Sequence, residues 1–415
     1  MTPGLFSLIF LLALLSGTLL HLWLQQRQIR HVAACRSSVP VDFADSIPLE
    51  SHQRSADYTV VKSRFKQIET LIEGATLLAF TLGGGIDWLN DVCRTLFTSP
   101  LTAGVALLAS FTLLSSLINL PGSIYATFRI EARFGFNNMT PRLFFIDLAK
   151  STFISALIGL PLITLILWLM NKMGTHWWLW VWIVWVAFSL FMMLAYPTFI
   201  APLFNKFEPL ADEALKQRIE ALLLRCGFKS SGVFVMDGSK RSSHGNAYFT
   251  GLGQSKRIVF FDTLLKQLDP QETEAVLAHE LGHFKCRHVL KRLAWMFSLA
   301  LGLLWLLGQI MQQDWFYQGL GVSISGEAVA LLLFFLVLPV FTFIFAPVTS
   351  WLSRRQEFEA DAYAAQHASP SDLIQALVKL YRDNASTLTP DPLFSMFYYS
   401  HPPAAIRIAT LRALG

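Results

Sequence analysis

The sequence predicts an α-helical integral membrane protein of about seven spanning helices with a polar domain at one membrane face. Three observations predict it. Of 415 residues, 53% are hydrophobic and only 15% charged, with 34 Phe and 12 Trp, which is too little charge to clothe a water-soluble chain of this length. Uncharged apolar runs of about 20 residues, the length that crosses hydrocarbon as a helix, recur along it. Polar residues gather in two segments, 206–290 and 353–415.

The spans follow in order. Residues 4–24 carry no charge apart from the titratable His21, and Arg27 and Arg30 follow. That run lacks the basic start and the cleavage pattern of a signal peptide, so it reads as an anchor. A weaker span covers 68–90, interrupted by Glu73 and Asp87. Strong spans are expected at 95–128, 151–171, 173–205, 293–311 and 328–352. The fifth span, at 173–205, is rich in Trp, as interfaces are.

Sidedness comes from the basic residues. With the N-terminus outside, Arg27, Arg30, Arg36, Arg54, Lys62, Arg64 and Lys66 fall in the first inner segment, and Arg129, Arg133 and Arg142 in the second. The outer loop 312–327 has no Lys or Arg. Both polar segments then face the cytosol. The net charge of +5 is mild and calls for no nucleic-acid partner. Cys35, Cys93, Cys226 and Cys286 have no CxxC spacing and read as free thiols. The chain divides into membrane helices 1–5 (1–205), a first polar part (206–290), membrane helices 6–7 (291–352) and a second polar part (353–415).

Within 206–290, a helix is expected at 211–226, then β-rich runs at 232–235, 247–250 and 257–261. Another helix starts with Asp269 as cap, Pro270 in the first turn and Glu272 closing a capping box. It carries His279-Glu280-Leu281-Gly282-His283. Two histidines four apart project from one helix face and can share a zinc ion through neutral imidazoles. Glu280 beside them is placed to take a proton from water that the ion acidifies.

A catalytic zinc wants a third protein ligand and an open position. Glu357, Glu359 and Asp361 follow the last span. On a helix Glu357 and Asp361 share a face, and Glu359 points roughly 160° away from Glu357. One of the same-face pair has the chemistry to bind the metal while the other holds a ligand imidazole in its tautomer. The alternative is a solvated acidic face balancing Arg354 and Arg355. Two spans, an even number, separate the histidine helix from this cluster, so both emerge on the same side.

Two further constellations share that side. Residues 246–251 (Asn246, Ala247, Tyr248, Phe249, Thr250, Gly251) read either as an edge strand that pairs with an extended peptide or as a core strand. His401-Pro402-Pro403 with Arg407 offers an imidazole and a cation suited to a developing oxyanion, or else a capped terminal helix. His244 and His288 are not assigned as ligands. On an unbroken helix His288, nine residues after His279, would point away from the site.

The segments 237–249 (DGSKRSSHGNAYF), HELGH, 353–363 (SRRQEFEADAY) and His401-Pro402-Pro403 with Arg407 resemble the zinc-dependent, type 1 CAAX prenyl proteases. Weaker similarity covers 134–137 and 200–206, so the likeness runs from about residue 58 to the C-terminus. It implies that Glu357 is the third ligand of one zinc per chain and Asp361 the partner of a ligand. It also implies that Asn246, His401 and Arg407 line the substrate groove. The implied fold is seven spanning helices enclosing a chamber, capped by a zincin-like domain. The implied activity removes the last three residues of a C-terminal CAAX sequence with a prenylated cysteine. Gly245 stands where the family pattern has serine. The C-terminal residues carry no retrieval signal, which suggests a bacterial inner membrane.

Two other functions compete. A broad quality-control protease acting on misfolded membrane proteins keeps the chemistry, but the span count here exceeds that of such shorter enzymes. A transporter with a structural zinc needs ionisable groups inside the membrane, and 95–128, 151–171 and 328–352 have none.

Overall fold

The apolar runs fold as long helices because backbone polar groups in hydrocarbon must be satisfied within the segment. The computed structural model describes residues 1–250 and 257–414. Its first helices are α1 (Pro3–Cys35), α2 (Leu49–Phe80), α3 (Gly85–Leu96), α4 (Pro100–Tyr125), α5 (Pro141–Lys172) and α6 (Trp177–Ala195). Six helical stretches among the described residues are long and apolar enough to cross a membrane: 3–35, 100–131, 141–172, 174–203, 288–310 and 327–367. Their outer faces expose Leu12, Leu15, Phe153, Leu157, Phe191 and Ile344, as a lipid-facing surface does.

The expected span at 68–90 is placed differently. α2 begins at Leu49 and stops at Phe80, and residues 85–90 belong to the separate α3. The glycines at 83–85 are the cause. Gly84 sits at φ 75°, and a Cβ on Gly83 would lie 2.7 Å from the Ala79 carbonyl oxygen, so the helix ends there. α2 is not among the six stretches long and apolar enough to cross.

The polar segments build one unit. β1 (Phe207–Pro209), β2 (Val233–Met236), β3 (Ala247–Thr250) and β4 (Arg257–Phe261) form a sheet in the order β1-β2-β4-β3. β3 is antiparallel to β4, with Ala247 opposite Phe260, and β2 runs parallel to β4. The three-residue β1 was not expected from sequence. Around the sheet lie α7 (Glu213–Arg225), α8 (Asp262–Gln267) and α9 (Pro270–Lys285). The chain then crosses as α10 (His288–Ile310), turns through α11 (Asp314–Gln318), and returns as α12 (Glu327–Thr342). α13 (Ala346–His367), α14 (Pro370–Asp383), α15 (Pro392–Tyr398) and α16 (Ala404–Leu414) complete it.

Two cores result. One joins the spanning helices through Phe10, Leu107, Leu307 and Leu333. The other, around Ile219, Leu222, Phe260, Leu277, Leu281 and Ala364, fixes α7, α9 and α13 to the sheet. The helices enclose a chamber in two parts. A cavity of about 760 Å³ lies under α1, α2, α9 and α13, lined by Gln28, Tyr58, Lys62, Glu280 and Glu357 among others. A second, of about 310 Å³, lies deeper between α1, α2, α4 and α12. His21 stands between them, 2.6 Å from the Tyr398 hydroxyl and stacked on Phe343.

Candidate metal centre

The histidine helix α9 is held firmly at its start. Asp269 and Glu272 form the reciprocal capping box, with the Asp269 amide donating to Glu272 Oε2 at 2.8 Å. Lys379 of α14 reaches both carboxylates at 2.8 Å. Ala275, Leu277, Ala278 and Leu281 are buried in the core. That leaves His279 and His283, one turn apart, facing α13. Gly282 sets how near α13 can come: a Cβ there would sit 2.9 Å from Ala360 Cα and 3.0 Å from its carbonyl oxygen.

This close approach brings Glu357 between the histidines. His279 Nε2 is 3.2 Å from His283 Nε2 and 3.4 Å from Glu357 Oε2, and His283 Nε2 is 3.4 Å from Glu357 Oε1. A tetrahedral ion with bonds of about 2.05 Å holds neighbouring ligand atoms about 3.3 Å apart. All three distances are near that spacing, with Glu357 turning Oε2 to His279 and Oε1 to His283. Glu357 Oε2 is buried yet makes no hydrogen bond among the described residues, which leaves its lone pairs free for a cation. The donor set of two imidazoles and one carboxylate is the kind that holds a catalytic zinc.

A further carboxylate orients the first imidazole. His279 Nδ1 lies 2.8 Å from Asp361 Oδ1. Arg407 then donates from Nε to Asp361 Oδ2 at 2.8 Å and from Nη2 to Oδ1 at 2.5 Å. Asp361 is fully buried and the Arg407 side chain 7% exposed. Its guanidinium is therefore committed to Asp361, with Nη1 3.8 Å from Glu357 Oε2.

Burial alone would lower the His279 pKa, but the neighbouring Asp361 carboxylate and then that of Glu357 lift it to about 9. His283 goes the other way: burial, with the His279 charge adding, brings it down to about 4. Glu280 faces the cavity, and burial pushes its carboxyl above the ordinary range, with Glu357 adding and His279 and Arg407 opposing. A general base works best when its pKa approaches the working pH.

Other sequence-predicted residues divide. His401 Nε2 is 3.5 Å from Glu357 Oε1, with its side chain 62% exposed. Asn246 and Ala247, at the start of the edge strand β3, line the 760 Å³ cavity. Phe249 instead packs on Phe228 and Phe284, and the Tyr248 ring lies against Phe261. Gly251 lies outside the described residues. His244 stacks on Phe136 and stands 3.5 Å from Glu131. Gly245 is close to Gln267, whose Oε1 would lie 2.3 Å from a Cβ at that position.

His288 is a correction. It was expected to point away from the site on one continuous helix. The helix breaks at Arg287, in the left-handed region at φ 57°, and His288 opens α10 with Nδ1 2.9 Å from His283 Nδ1. No spacing rule signals a left-handed arginine. Gln28, Tyr58 and Lys62, which line the cavity from α1 and α2, likewise carry no local signal.

Comparison with known proteins places this arrangement. Residues 28–206 match the family model described as CAAX prenyl protease N-terminal, five membrane helices, and 209–414 match peptidase family M48. The Arabidopsis thaliana CAAX prenyl protease 1 homolog is 34% identical over 90% of each chain. The Homo sapiens homolog is 33% identical over 98% of this chain and 96% of its own. The crystal structure of S. mikatae Ste24p superposes with a TM-score of 0.90 at 32% identity, covering 98% of this chain and 99% of that one. With six membrane-length apolar helical stretches among the described residues and a histidine–carboxylate cluster facing a cavity, this chain belongs to peptidase family M48 and, within it, to the multi-pass membrane metalloproteases of the CAAX prenyl protease 1 group.

Proposed function

We propose that the protein is a zinc endopeptidase that removes the C-terminal tripeptide from CAAX proteins or peptides whose cysteine carries a prenyl chain. One observation carries this reading: the 3.2–3.4 Å triangle of His279, His283 and Glu357 opens onto a cavity that the spanning helices close over. The relatives named CAAX prenyl proteases support the substrate class.

His279, His283 and Glu357 hold one zinc per chain. When bound, the ion supplies Lewis acidity that polarises a carbonyl and acidifies water. Glu280, with its raised pKa, takes the proton and returns it to the leaving amine. His401, exposed beside Glu357, donates to the oxyanion that develops on the scissile carbonyl. Arg407 acts one step back, holding Asp361 against His279. Asn246 and Ala247 receive the substrate backbone at the free edge of β3, as an added strand.

The polar segments 206–290 and 353–415 form the protease unit, and 1–205 and 291–352 the enclosing helices. The excess of Lys and Arg in the inner segments supports a cytosolic active site. Placement in a bacterial inner membrane rests on sequence alone; the relatives compared are eukaryotic. The test is cleavage of a farnesylated CAAX peptide beside its unprenylated twin and an unfolded protein, with chelator and zinc add-back. Selective, zinc-restored cleavage of the farnesylated peptide is expected. Equal cleavage of all three would favour a quality-control protease.

A further inference from the structure

Among the described residues, the second ligand, His283, has no carboxylate at Nδ1 comparable to the Asp361 that serves His279. We infer that His288 and Glu359 form that missing support: a relay in which Glu359 orients His288 and His288 fixes the tautomer of His283. The inference rests on the proposal that His283 binds the metal through Nε2.

The geometry runs without a gap. With Nε2 turned to the triangle, the remaining proton of a neutral His283 sits on Nδ1, 2.9 Å from His288 Nδ1. His288 Nδ1 accepts it, so the proton of His288 sits on Nε2, which donates to Glu359 Oε2 at 3.0 Å. The His288 side chain is only 2% exposed, so water cannot readily replace either partner. The other Glu359 oxygen faces Arg355 Nε at 3.5 Å, and Lys291 Nζ is 4.0 Å away. Both cations flank the carboxylate.

The three acids of α13 thereby take separate tasks. Glu357 points into the triangle and Asp361 holds His279. Glu359, which helical spacing turns away from Glu357, is linked to the site through His288 because the helix breaks at Arg287. His288 and Glu359 are positioning residues, since neither faces the cavity. Support of this kind raises the basicity of a ligand and typically carries 10–100-fold in metal affinity.

The experiment measures the zinc dissociation constant of the full-length protein in detergent by competition with a chromophoric chelator. The visible spectrum of the cobalt-loaded protein is recorded alongside. His288→Leu should weaken zinc binding about 10–100-fold and alter the cobalt bands. His288→Gln, whose amide keeps an acceptor and a donor, should recover most of the loss. Glu359→Ala, at a position 38% exposed, should weaken binding in the same direction and covers the case in which His288→Leu fails to fold. Wild type and His283→Ala separate the two readings. If wild type binds no zinc, the metal centre itself is wrong. If wild type binds zinc and loses it in His283→Ala, yet His288→Leu and Glu359→Ala stay within about twofold, the relay is wrong. The relay also falls if wild type binds two metal ions and Cys286→Ser removes the second. Cys286, His288 and Glu359 offer ligand atoms within 4.8 Å of one another, and that result would make His288 Nε2 a ligand rather than a donor.

Discussion

Gly282→Ala tests whether helix spacing assembles the metal centre. The added Cβ would lie 2.9 Å from Ala360 Cα, 3.0 Å from the Ala360 carbonyl oxygen and 3.2 Å from Tyr363 Cβ. Two of these neighbours are backbone, so no side-chain rotation relieves them. Ordinary carbon–carbon contact needs about 3.5 Å or more, so α13 must retreat from α9 by roughly 0.6 Å. Glu357 lies one turn from Ala360 and moves with it. The ligand edges of 3.4 Å would stretch to about 4 Å, well past the tetrahedral edge of about 3.3 Å that bonds of about 2.05 Å give. Overpacking of this kind costs about 1–3 kcal/mol of stability. Zinc affinity should fall by about 10–100-fold, the range seen when ligand support is lost. Chelator competition and kcat/KM on a peptide substrate read the effect. Gly302→Ala on α10, where no atom lies within 4 Å of the new Cβ, is the silent control. A Gly282→Ala protein with zinc affinity and kcat/KM within about twofold of wild type would refute the reasoning.

Four other outcomes are expected. Glu280→Gln should keep its zinc but lose about 10²–10⁴-fold in kcat, measured by metal analysis beside a peptidase assay; loss of zinc instead would make Glu280 a structural residue. Because burial raises the Glu280 pKa and the base must be ionised, kcat/KM should be full above that pKa and fall as pH drops through it. That acid limb should lie above the ordinary glutamate value of about 4.3, and a profile flat down to that value would contradict it. Asp361→Asn leaves the buried Arg407 without its carboxylate and should destabilise the fold by about 3–5 kcal/mol. Thermal or denaturant unfolding checks this, and zinc affinity should drop with it. Free zinc at a hundredfold over its dissociation constant should stabilise the protein by about 2.7 kcal/mol; an unchanged melting temperature on chelation would count against a metal held in the folded state.

The amino-acid sequence by itself determined the membrane class, because lipid demands long uncharged helical runs and few other folds carry them. It determined that His279 and His283 share a face, since four residues are about one helical turn. It also put them on the same side as Glu357, because two crossings lie between. These conclusions need only local periodicity and a count. The tertiary structure decided what depends on where separate helices meet. The break at Arg287 turns His288 back on His283, and no neighbouring residue type announces it. The approach of α13 over Gly282 sets the ligand distances, and Asp361 holds the Arg407 guanidinium at the cavity wall while His401 stays exposed. α1 and α2 roof the cavity with Gln28, Tyr58 and Lys62, more than two hundred residues before the metal ligands. Contacts across such separations arise from the packing of whole helices, which a spacing rule within one helix does not encode.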